Sequence, residues 1–396
     1  MTVYAIRKPL KEIDLDFVRE HRNRLFGQSN NISFYSIKVP NKDVEDALVD
    51  LVKAFPSIQD TVEFHSYSDF DTLSFVPFAS RIMTSCANIT DLTITYCQLG
   101  DEAGEALFSC METNHTIRTL MLRSVDMSDE VEAMMGAMLA VNDTLFAVDV
   151  TYAFGSDTGC NAILRGLGIN NSIEEFVFNG THNAWGPNMT AANALAKNTR
   201  LKELKLTMLN FTPHSAYALQ RILEGNRSIQ SLTINEESKE TLIGTAIASG
   251  LAKNSTLKRL VLPKSVFCEP VLNILLAAIS GPDHVSALTS LSLSHQCRVS
   301  SLAYLLETNH VLREISAGKK ASYFENMPRL HRAISLNPSI ESIPSFDMPP
   351  TVMACLHRNR NNNCCRHETL AQVSFDKYKT WLRADYARIL VKRYRK

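Results

Sequence analysis

The residue types capable of catalysis or metal binding are present in this chain, but their spacing does not assemble them. His357, Cys364, Cys365 and His367 could bind zinc by residue type alone. Adjacent cysteines rarely place both sulfurs on one tetrahedral ion, and the spacing matches no usual zinc finger, so no metal site is expected. Cys160, next to Gly159, falls near a helix start, where a thiolate would be stabilised. Its place in the pattern described below reads instead as an ordinary buried thiol. There is no G-x-S-x-G, P-loop, H-E-x-x-H or paired C-x-x-C. Histidines and carboxylates are dispersed along the chain. The expectation is a non-enzyme with no cofactor.

Asparagine is the polar residue that does recur with a fixed spacing. Asn114, Asn142, Asn170, Asn198, Asn226 and Asn254 follow one another at 28 residues, and three residues after each stands Ile117, Leu145, Ile173, Leu201, Ile229 or Leu257. Each of these opens an x-x-Φ-x-Φ run (Φ apolar), such as Ile117-Arg-Thr-Leu120-Met-Leu122. Six residues before each start lies another apolar column: Met83, Met111, Leu139, Leu167, Leu195, Leu223 and Leu251. A strand-like half and a helix-like half at a fixed period is the signature of a solenoid. The clearest unit begins at Ile89, with Leu92 and Ile94 inward, Asp91, Thr93 and Thr95 outward, and a helix from Asp101 presenting Ala103, Ala106, Leu107 and Cys110 to the core. The recurring asparagine should end each helix, since Asn tolerates the left-handed backbone found there. Several of these asparagines also lie in Asn-x-Ser/Thr sequons, but their repeat position favours a structural role.

Beyond Leu257 the starts move to Leu288, Leu312 and Ile340, with Asn309 and Asn337 restoring the column. Ten to twelve units are expected. Residues 1–30 read as an N-terminal helical cap, with an amphipathic helix at 14–25. Residues 31–350 read as the solenoid, and 351–396 as a basic C-terminal helical cap whose first helix uses Val352, Cys355 and Leu356. The pattern resembles the leucine-rich repeats of the ribonuclease-inhibitor-like type over roughly residues 30–350. That resemblance implies an α/β horseshoe with a concave parallel sheet and convex helices. It departs from the family five residues into each strand run, where Asn or Cys is usual: Cys97 fits, but Val125, Ala153, Thr181, Leu209, Glu237 and Ser265 do not. Loop geometry there should vary, with backbone groups satisfied by water or by one another.

A solenoid binds partners on its preformed concave sheet. The candidate partner-binding residues are Asp91, Tyr96, Met121, Arg123, Asp149, Tyr152, Glu175, Val177, Lys205 and Arg259, a mixture that suits a protein interface. Trp185 is a further possible anchor in a Gly-Pro loop. The chain has 41 basic and 41 acidic residues, which argues against a whole-chain nucleic-acid or membrane binder. Residues 351–396 nevertheless carry eleven Lys/Arg and three Asp/Glu. The leading expectation is a non-enzymatic scaffold for a protein partner, with no small-molecule substrate, and one form of it is a secreted bacterial effector acting in a host cytosol. The alternatives are a regulator of an enzyme or small GTPase, and a basic tail that binds nucleic acid or anionic membrane. The nine scattered cysteines fit a reducing, cytoplasmic compartment.

Overall fold

The computed structural model describes residues 3–7, 31–35, 42–53, 61–65, 76–86, 89–152, 156–180, 186–207, 209, 211–235, 241–262, 269–280, 286–293, 299–317, 327–343 and 350–360. Among them are twelve strands: β1 (Val3–Arg7), β2 (Asn31–Tyr35), β3 (Thr61–His65), β4 (Asp91–Leu99), β5 (Thr119–Met127), β6 (Ala147–Thr151), β7 (Glu175–Asn179), β8 (Glu203–Thr207), β9 (Ser231–Asn235), β10 (Arg259–Leu262), β11 (Ser290–Leu293) and β12 (Glu314–Ala317). They form one parallel sheet in sequence order. The helices between them are α1 (Lys42–Lys53), α2 (Val76–Ser85), α3 (Asp101–Glu112), α4 (Asp129–Val141), α5 (Asp157–Ile169), α6 (Met189–Lys197), α7 (Pro213–Gly225), α8 (Thr241–Leu251), α9 (Glu269–Ala278), α10 (Val299–Thr308) and α11 (Met327–Leu336), with α12 (Pro350–Arg360) closing the series.

Each helix packs on the helix before and after it. Neighbouring strands are separated by roughly 4.8 Å, while packed helices need about 8–10 Å. A stack with both layers in register must therefore curve, with the sheet inside. The result is an α/β leucine-rich-repeat horseshoe. The two strand columns (Leu92/Ile94, Leu120/Leu122, Val148/Val150, Phe176/Phe178, Leu204/Leu206) and the helix column Met83 to Leu251 are buried in one continuous core. In α3 the buried stripe is Ala103, Gly104, Leu107, Phe108 and Met111, whereas Ala106 is exposed and Cys110 only half-buried. Thr93 and Thr95 are buried as well, at 8% and 6% exposure, although they lie on the opposite face of β4 from Leu92 and Ile94. The sheet starts within the first 30 residues, because β1 pairs in register with β2, Val3 opposite Asn31. The helix expected at 14–25, Trp185 and the stretch 361–396 lie outside the described residues. Within α12, Val352, Cys355 and Leu356 are buried, on the face the sequence indicates.

The asparagine column is buried from Asn114 to Asn337. It does not end helices by adopting the left-handed conformation: Asn142, Asn170, Asn198 and Asn226 have φ between −60° and −75° and ψ between 128° and 145°. The side chain does the work instead. Asn170 Nδ2 donates to Leu139 O and to Asn142 O, both at 2.7 Å. Its Oδ1 accepts from the N–H groups of Ser172 and Ile173, both at 2.7 Å. Asn198 and Asn226 repeat all four bonds. Leu139 belongs to the helix column, so each asparagine satisfies a carbonyl that the preceding helix leaves unpaired at its C-terminus. Asn359 of α12 donates to Asn337 O and Ile340 O, a final rung outside the 28-residue spacing.

Close helix contact depends on glycine at two facing positions. A Cβ on Gly166 of α5 would lie 2.0 Å from Gly136 O of α4, and one on Gly136 would lie 2.5 Å from Ala162 O. Backbone oxygens cannot move aside as a flexible side chain can. Gly166→Ala should therefore destabilise by about 1–3 kcal/mol through overpacking, read as a lower urea midpoint. Asn170→Ala strands several buried backbone groups and should cost at least about 2 kcal/mol. Asn170→Asp keeps the acceptors but places a carboxylate against two carbonyls, and should do no better. A midpoint unchanged by either Asn170 substitution would show that the ladder is incidental to stability.

Candidate protein-binding face

Strand register sets the candidate residues in adjacent rows. Met121, Asp149, Val177 and Lys205 are direct neighbours across β5 to β8, and Thr233 and Val261 continue that row. The row before it runs Asp91, Thr119, Ala147, Glu175, Glu203, Ser231 and Arg259. All ten candidates lie on the helix-free side of the sheet or at its turn. They span six strand intervals, roughly 29 Å. This is a broad surface and not a compact catalytic site.

Much of its charge is neutralised internally. Arg123 Nη2 reaches Asp149 Oδ2 at 2.7 Å, and Thr151 Oγ1 donates to the other oxygen of Asp149 at 2.6 Å. Lys205 Nζ lies 2.6 Å from Glu203 Oε1. Asp91 accepts from Thr90 Oγ1 at 2.8 Å. Glu175 and Arg259 are exposed, and Met121 and Val177 are half-buried between the charged pairs. A cluster not anticipated from the sequence lies along the strand entrances: Glu174, nine-tenths buried, bridges Arg200 at 3.0 Å and Lys202 at 2.5 Å. The hydrogen bond from Lys202, aided by both positive charges, holds the Glu174 carboxyl below its ordinary range. The common 28-residue offset of Glu174 and Lys202 is legible in the sequence, but its chemical consequence depends on the row they share.

Tyr96, Ser124 and Tyr152 occupy one repeat position and have φ of 55°, 52° and 54°. This is the left-handed region, which costs a residue with a side chain about 1–2 kcal/mol. Tyr96 is 55% and Tyr152 49% exposed at this position. Past it, β4 and β5 pair again at Cys97–Val125, Gln98–Asp126 and Leu99–Met127. At this pair of turns the backbone groups of Cys97 and Val125 and the residues after them are paired strand to strand.

The thiols of Cys97 and Cys160 are held protonated. Burial pushes the Cys97 thiol up to about 12. Cys160 is also raised, first by burial and then by the charges of Glu132 and Asp157. Five cysteines among the described residues are free thiols, and no group of three or more His, Cys, Asp or Glu side chains among those residues could hold a metal ion. A groove of about 720 Å³ opens away from the sheet, at the starts of α5, α6 and α7, between Asp157, Asn161, Arg165, Pro187, Asn188 and His214. No helix among the described residues is long and apolar enough to cross a membrane.

No family model matches the chain, and no curated protein matches it. Solved structures do. The chain titled Leiomodin-1 Actin-Binding Site 2 is 24% identical over 28% of this chain and 63% of that one, with a TM-score of 0.24, so the match spans less than two thirds of that chain. A chain from the Rad7 and Elc1 complex of yeast is 13% identical over 84% of this chain and 82% of its own, with a TM-score of 0.47. The tropomodulin C-terminal domain of Caenorhabditis elegans is 15% identical over 39% and 91%, with a TM-score of 0.28.

Two measurements probe this face. At pH 8 the thiolate fractions of Cys97 and Cys160 are small because both pKa values are raised, so neither should react with a disulfide reagent until the chain is unfolded. Rapid labelling of either in the native protein would contradict their burial. Tyr152→Gly removes the left-handed penalty and loosens the unfolded chain less favourably, so stability should stay within about 1 kcal/mol of the parent. A larger fall in the denaturation midpoint would mean that the ring helps hold the fold.

Proposed function

We propose that the chain is a non-enzymatic scaffold, of the ribonuclease-inhibitor-like leucine-rich-repeat type, that binds a protein partner on its concave sheet. The observation that carries this reading is the contrast between the two faces of the strands. The inner columns and the asparagines repeat unit after unit, while the outer rows vary residue by residue on a wide, preformed surface. Met121 and Val177 provide apolar contact area between ion pairs already closed within the chain. A partner covering them would not have to desolvate isolated charges there. Asp91, Tyr96, Arg123, Asp149, Tyr152, Glu175, Lys205 and Arg259 would form the polar and aromatic surround. The buried free thiols suit work in a reducing, cytosol-like compartment, and α12 with its asparagine rung would close the C-terminal end of the array.

A photo-crosslinking amino acid placed at Val177 or Lys205 in the full chain, in cells that express it, should capture a discrete protein adduct. The same residue at Tyr217 or Ile274, exposed on α7 and α9, should not. In a folded Met121→Glu/Val177→Glu variant the adduct from position 205 should fall at least tenfold. Equal capture from the helix side, or an adduct indifferent to that variant, would refute the concave-face assignment.

A further inference from the structure

The surface beyond the left-handed turns has a chemistry of its own. Tyr96 and Tyr152 are two strands apart with Ser124 between them, so their backbones are separated by roughly 10 Å. Two exposed rings are therefore presented on one line, from positions with little backbone freedom. Immediately past them the chain runs through the re-paired ends of β4 and β5 into the first turns of α3 and α4. There Asp101, Glu102, Glu105, Asp126, Asp129 and Glu130 are all exposed, and none has an ion-pair partner among the described residues. Ser128, the N-cap of α4, donates to Asp101 Oδ1 at 2.6 Å, tying adjacent units together along this edge.

The nearby cations do not cancel this field. Between residues 97 and 164 the Lys and Arg side chains are Arg118 and Arg123, and His115 lies against Asp143. Arg123 is held by Asp149. Arg118 precedes β5, six residues or roughly 20 Å of strand from Ser124. A line of exposed aromatic faces beside carboxylates that have no ion-pair partner among the described residues matches one kind of ligand: guanidinium and ammonium groups, which stack on Tyr through cation–π attraction and pair with the acids. We propose that this edge binds a Lys/Arg-rich, extended segment of the protein partner, with Tyr96 and Tyr152 as the stacking platforms and Asp101, Asp126 and Asp129 supplying the counter-charge. This deepens the concave-face reading and rests on it, since the edge adjoins the rows carrying Met121 and Arg123.

The test uses the full chain and a fluorescein-labelled peptide of alternating arginine and glycine, with glutamate–glycine and serine–glycine peptides as controls, followed by anisotropy. Only the arginine peptide should bind, and more weakly as salt rises. Tyr96→Ala/Tyr152→Ala should weaken binding at least tenfold, whereas Tyr96→Phe/Tyr152→Phe should stay within about threefold because the ring face is kept. Asp126→Asn/Asp129→Asn should also lose at least tenfold. Glu112→Gln, which removes an exposed acid from the far end of α3, should change binding less than twofold. Equal binding of the serine peptide, or a folded tyrosine-to-alanine variant that binds like the parent, overturns the proposal. If Val177 still crosslinks a protein while the arginine peptide does not bind, only this proposal fails. If both experiments fail, so does the concave-face reading beneath it.

Discussion

One side-chain amide per repeat, bonded to two chain segments at once, is the interaction on which the rest of this molecule depends. A helix leaves its last carbonyls without partners, and a chain reversing from helix to strand leaves amides without partners as well. Both sets lie inside this stack, out of reach of water. Asparagine carries two donors and an acceptor with two lone pairs on a short stem. It therefore reaches back to Leu139 O and Asn142 O and forward to the amides of Ser172 and Ile173 in one residue. No apolar residue could do this, and aspartate lacks the donors.

The ladder also explains where the array is regular. Between Asn142 and Asn254 each rung touches the carbonyl of the rung before it, and the helices there pack glycine against backbone. At the 31-residue step before Leu288 no asparagine stands in the column. Ser286 Oγ accepts from Leu288 N–H at 3.3 Å, and Asn309 then reaches Ile279 O. The column resumes with Asn309 and Asn337, and Asn359 is its last rung among the described residues. The strands stay in one sheet across the irregular step because the inward pairs Leu260/Leu262 and Leu291/Leu293 keep their register.

With the scaffold held by identical contacts, the solvent-facing rows of the sheet are released from structural duty and can differ. Their charges have mostly settled against one another, as in Arg123–Asp149 and Glu203–Lys205. Half-buried Met121, Val177 and Val261 lie among these charges, and Tyr96 and Tyr152 are exposed. The left-handed backbone recurs at Tyr96, Ser124 and Tyr152, and Gly180, a residue that takes that conformation at no steric cost, stands at the equivalent place in the following unit.

The sequence by itself determined the period, the two inward columns and hence the α/β horseshoe, because burial imposes the same apolar demand on every unit. It also determined that the asparagines are structural, though not how: a spacing of 28 says that a residue recurs, and cannot say that its amide reaches a carbonyl 31 residues back. The strand β1 is not legible in the sequence because a single short run of Val3, Tyr4 and Ile6 shows no period of its own, and residues 1–30 read as a helical cap. The shift of the α3 core face from Ala106 and Cys110 to Gly104 and Phe108 was hidden too, since either stripe is consistent with a 3.6-residue period. The candidate surface was legible as a set of positions and not as chemistry. Which charges pair, that Thr93 and Thr95 are covered, and that Tyr96 and Tyr152 stand in left-handed turns beside an acidic edge are decided between units. Contacts such as Arg123–Asp149 and Glu174–Lys202 join residues 26 and 28 apart, which only the stacking of one turn on the next brings together, whereas Glu203–Lys205 closes within one strand.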